Sequence, residues 1–129
     1  MTRIFSCAAL TALLALPLAS NANDFGLSYD VDRVDASRLS LAECGTAISR
    51  GATSLGYVTR AHDAQDQLIT HVSGPQGDGS AVIAYCIGAG DQTVFVVQAL
   101  DYSGPGTADA ERVKARVTSE IRKAITPAD

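Results

Sequence analysis

The side chains in this sequence that could do chemistry form three groups: Cys44 and Cys86, His62 and His71, and Asp30, Asp32 and Asp35 in the run DVDRVD. The thiolate is the nucleophilic form of cysteine, and Cys44 falls in the first turns of a predicted helix, where the positive end of the helix dipole lowers a thiol pKa. A thiol-dependent or redox protein using Cys44 or Cys86 is therefore one reading. It wants a C-x-x-C pair or a positioned base, and neither accompanies these cysteines. The stronger expectation is that Cys44 and Cys86 form one structural disulfide, because an even pair in an exported chain is oxidised. Closing a loop of about 43 residues removes unfolded-state entropy worth roughly 4 kcal/mol.

The histidines are expected on the polar face of a hairpin with Arg60 and Gln67. If residue 62 faces residue 67, they stand about four residues, or roughly 13 Å, apart along the strands. In that register they share no metal ion. The three aspartates begin like a calcium loop, but the turn glycine is missing and Leu41 stands where the bidentate glutamate belongs. Asp30, Asp32 and Asp35 are thus a weak candidate for a hard cation and a good description of a solvated strand. The loop GPQGDG, residues 74–79, joins two strands and opens no helix, so it lacks the amide cluster of a phosphate cradle. No catalytic constellation and no cofactor motif emerges from these residues.

The elements that hold these groups are legible from periodicity. In FGLSYDVDRV, Phe25, Leu27, Tyr29 and Val31 alternate with Gly26, Ser28, Asp30 and Asp32, which predicts a half-buried strand with its carboxylates in water. Ser40 and Glu43 match a capping box, so a helix begins there and Gly56 is placed to end it. Its stripe of Cys44, Ala47, Ile48, Gly51, Ala52 and Leu55 is small enough to lie close on a sheet. YVTRAH and QLITHV predict a hairpin whose inner face is Tyr57, Thr59, Ala61, Leu68, Thr70 and Val72. A second hairpin, AVIAYCIG and TVFVVQAL, turns at residues 88–91. A last helix presents Ala110, Val113, Val117, Ile121, Ala124 and Ile125, with Arg116, Glu120 and Lys123 on its other side. The order β-α-β-β-β-β-α implies an α+β two-layer sandwich: an antiparallel sheet of about five strands with two helices on one face.

Residues 1–22 read as a signal peptide: Arg3, a short apolar run broken by Pro17, and the small residues Ser20-Asn21-Ala22 before a cleavage point. Cys7 lies within that leader. Residues 23–129 then form one small domain that is periplasmic or secreted, with no membrane span after cleavage. The chain carries 10 Lys+Arg against 14 Asp+Glu, so nucleic acid is not an expected partner.

The second hairpin is apolar on both faces. Val82, Ala84 and Cys86 with Phe95, Val97 and Ala99 suit the helices. Ile83, Tyr85, Ile87, Val94, Val96 and Leu100, with Gln98, make the other face, which a two-layer fold leaves uncovered. That face is expected to be an interaction surface, for a homodimer or for another envelope protein. The rival arrangement sends one helix across to cover it.

Overall fold

A computed structural model describes residues 25–77, 79–104 and 106–129. The predicted leader lies outside the described residues. The chain runs β1 (Gly26–Asp35), α1 (Leu41–Ser54), β2 (Val58–Ala64), β3 (Leu68–Gly74), β4 (Ala81–Ala89), β5 (Gln92–Asp101) and α2 (Ala108–Ala124). The five strands form one antiparallel sheet in the order β1-β5-β4-β3-β2. β2 to β5 are a meander, and β1 closes onto the outside of β5. Because β1 and β2 are opposite edges, α1 must carry the chain across the sheet.

The start of α1 is fixed by local chemistry. Ser40 Oγ accepts from the Glu43 amide at 3.1 Å, while the Ser40 amide donates to Glu43 Oε2 at 3.0 Å. Gly56, at φ +73°, takes the left-handed turn that ends the helix and donates to the Thr53 carbonyl. The two helices pack together on the same side of the sheet, closely enough that a Cβ on Gly51 would stand 2.9 Å from Val117 Cα. Between helices and sheet lies one core of Leu39, Cys44, Ala47, Ile48, Val82, Ala84, Cys86, Phe95, Val97, Val113, Val117 and Ile121. No helix among the described residues is long and apolar enough to cross a membrane.

Three expectations are corrected. β1 is turned over: Leu27, Tyr29 and Val31 are 46%, 64% and 61% exposed, whereas Ser28 is buried. The cause is its register on β5, which sets Tyr29 beside Gln98 and Val31 beside Val96 on the outer side. Ser28 then faces the helix layer, where its hydroxyl donates to Glu111 Oε1 at 2.7 Å. The β2–β3 hairpin is also turned over. Its buried side chains on β3 are Ile69, His71 and Ser73, not Leu68, Thr70 and Val72, because Ile69 pairs with Cys86 and His71 with Ala84. The whole of β2 is exposed, with a bulge at Arg60 that breaks the regular ladder of this edge. Finally, Glu120 is buried, held by Lys123 Nζ at 3.0 Å with Arg50 and Arg116 nearby.

Candidate functional site

The cysteines meet. Cys44 on the inward stripe of α1 and Cys86 on the inward face of β4 form a disulfide with Cα atoms 6.2 Å apart, and both residues are completely buried. The bond pins the crossover helix to the central strand of the sheet.

The histidines meet as well, against expectation. A short turn at residues 65–67 sets His62 directly across from His71, with ring centroids 5.8 Å apart. His62 is exposed on the edge strand, while His71 is fully buried and neither of its ring nitrogens has a hydrogen-bond partner. Burial, and then the neighbouring His62, push the His71 pKa below the ordinary imidazole value. Sequence periodicity missed this pair because the polar-looking side of THVS is the side that faces inward.

The aspartates do not converge. Asp30 and Asp32 point to the helix layer, where Lys114 Nζ lies 3.7 Å from Asp30 and Arg122 donates to Asp32 Oδ2 at 3.1 Å. The Arg33 amide, ahead of Arg122, holds the Asp32 carboxyl below the usual carboxylate range. Asp35 projects to the opposite side and accepts from Gln92 Nε2 at 2.6 Å. α2 thus answers two charges of β1 with two cations, which is why that strand can present carboxylates toward the helices.

What remains is the outer face of the sheet, and pairing registers define it as four rows. Leu27, Leu100 and Ala81 make the first; Tyr29, Gln98, Ile83, Val72 and Ala61 the second. The third is Val31, Val96, Tyr85, Thr70 and Asp63, and the fourth Arg33, Val94, Ile87 and Leu68. All six residues predicted for an interaction surface, Ile83, Tyr85, Ile87, Val94, Val96 and Leu100, lie together on it. Leu27, Tyr29 and Val31 extend it to the β1 edge. Charge enters these rows only at the two edge strands, as Arg33 and Asp63. Ordinary antiparallel sheets keep a solvated face polar. Both helices lie on the other side, so no described helix covers this one. A smaller cleft of about 250 Å³ lies between the ends of β5 and α2, lined in part by Asp101 and Arg112.

Kinship is decided over all of the described residues: residues 24–129 match the model of a family of unknown function, DUF6180. The chain belongs to DUF6180. No match was found among curated proteins. The disulfide staples the layer behind the sheet, Lys114 and Arg122 of α2 are engaged by β1, and the apolar rows in front are left open.

Proposed function

We propose that this protein is an exported interaction module of the bacterial cell envelope, non-catalytic, stapled by Cys44–Cys86, and acting through the outer face of its sheet. The observation that carries the reading is the central block of that face: Val94, Val96, Ile83, Tyr85, Ile87 and Leu100 without a charge among them. Contiguous exposed apolar patches of a few hundred Å² mark interaction sites on soluble proteins. Export rests on the leader pattern of residues 1–22, and a buried disulfide suits the oxidising compartment to which such a leader delivers a chain.

A photo-reactive residue in place of Val96, in protein expressed from the full chain in its own host, tests the reading. It predicts one discrete cross-linked adduct from position 96 and none from Ala115, which is exposed on α2. The same preparation should begin at Asn23 and contain no free thiol under denaturing conditions. No adduct at position 96 would remove the interaction surface. A protein retained in the cytoplasm with its leader attached would remove export.

A further inference from the structure

The outer face has a shape and a charge placement that specify its occupant. Its width is four inter-strand gaps of about 4.8 Å, and its length from Leu27 to Arg33 is six steps of about 3.4 Å. With the side chains at its rim this amounts to roughly 600 Å² per copy, so two copies would bury about 1,200 Å², the lower end of the range for specific complexes. A sheet of the same twist can pack against it at about 10 Å with strands within about 30° of alignment.

The charges choose the symmetry. β4 is the middle strand, and β1 and β2 are equidistant edges on either side of it. Rotation by a half-turn about an axis parallel to β4 and lying between two facing sheets keeps each row at its height and exchanges the edges. β1 of one copy then covers β2 of the other. Tyr29 stands over Ala61, in the same row, so a large side chain meets a small one. Leu27 comes over Val58, two residues that are 46% and 41% exposed. Arg33 arrives one row, about 7 Å, from Asp63, a step an arginine side chain spans. Symmetry makes that pair twice. The alternative half-turn, across the strands, lays β1 on β1 and sets Arg33 against Leu27, where no carboxylate of the other copy faces it. Asp35, farther along the same end of β1, accepts from Gln92, and Asp63 accepts from Gln65 Nε2 at 2.8 Å, which leaves the Asp63 carboxylate lone pairs for the arginine of the other copy.

We infer that the occupant of the outer face is a second copy of this chain, packed sheet to sheet about a twofold axis parallel to β4, with Arg33 of each copy paired to Asp63 of the other. This rests on the outer-face reading and adds the partner and its orientation. Charge pairs at the rim set register and specificity more than affinity, so their reversal should weaken the dimer without unfolding either copy.

Sedimentation equilibrium on protein expressed from the full chain and purified from the envelope tests it. The wild type should be dimeric at about 100 μM, and Arg33→Asp and Asp63→Arg should each raise the dimer dissociation constant by about tenfold or more. The double variant Arg33→Asp/Asp63→Arg should return to within about threefold of wild type, since the swap restores both pairs. A double variant as weak as the single ones would overturn the proposed orientation. A wild type that stays monomeric would overturn self-pairing. If the position-96 cross-linker still captures a different protein, the interaction surface itself survives; if it captures nothing, both readings fall together.

Discussion

His71 is the residue at which local chemistry and fold disagree most. A neutral imidazole buried without a partner for either nitrogen forfeits hydrogen bonds it would make in water. Its folded pKa is lowered by burial and by His62, whereas in the unfolded chain it returns to about 6.5. As pH falls below about 6.5, the unfolded chain therefore takes up a proton that the folded chain refuses, and stability declines until the folded group also titrates. Thermal melts from pH 7.5 to 5.5 should show the wild type losing stability across this window. His71→Leu should flatten that decline and leave the midpoint at pH 7.5 unchanged or higher; an equally steep decline in the variant would show that His71 is not its source. The cysteines form the bond that their even number and apolar stripes suggest. Replacing both with alanine should cost up to about 4 kcal/mol in the loop-closure account, read from denaturant midpoints, with the far-ultraviolet spectrum kept. The disulfide was legible because both sulfurs sat on apolar stripes. His71 was not, because histidine and serine made an inward face look wet.

At the scale of elements, α1 depends on two features with separable consequences. Ser40→Ala removes the acceptor for the Glu43 amide and should cost about 1 kcal/mol. Gly51 lets α1 approach Val117 of α2, so Gly51→Leu should force the helices apart and cost about 1–3 kcal/mol in a denaturant titration. A Gly51→Leu protein as stable as wild type would mean that the helix pair yields without strain. Element order, helix limits and the face of the β4–β5 hairpin followed from periodicity, since one side of that hairpin carried Cys86 opposite Phe95 and matched the small stripe of α1. The faces of β1 and of β2–β3 did not follow. Alternation defines two sides of a strand but not which side a neighbouring register turns inward. In β1 the register on β5 sets the faces, and Lys114 and Arg122 of α2 then answer Asp30 and Asp32 on the helix side while Leu27, Tyr29 and Val31 lie outside.

For the molecule as a whole, that inversion enlarges the feature on which function is argued. The candidate surface was legible across β4 and β5 because residues 80–98 are apolar on both faces; the β1 share was hidden by a strand that read as core. All the strongly buried apolar residues lie behind the sheet with the disulfide and both helices, so the front face is not needed to complete the core. On the proposed function, this front face is covered where the protein works. The alkylation rate of a cysteine introduced at Val96 tests it most directly, measured in intact cells and normalised to the same variant purified and diluted, with Ala115→Cys as the exposed control. Position 96 should be slowed at least about tenfold in intact cells relative to the diluted protein, while position 115 should be unaffected. Equal normalised rates at the two positions would contradict it.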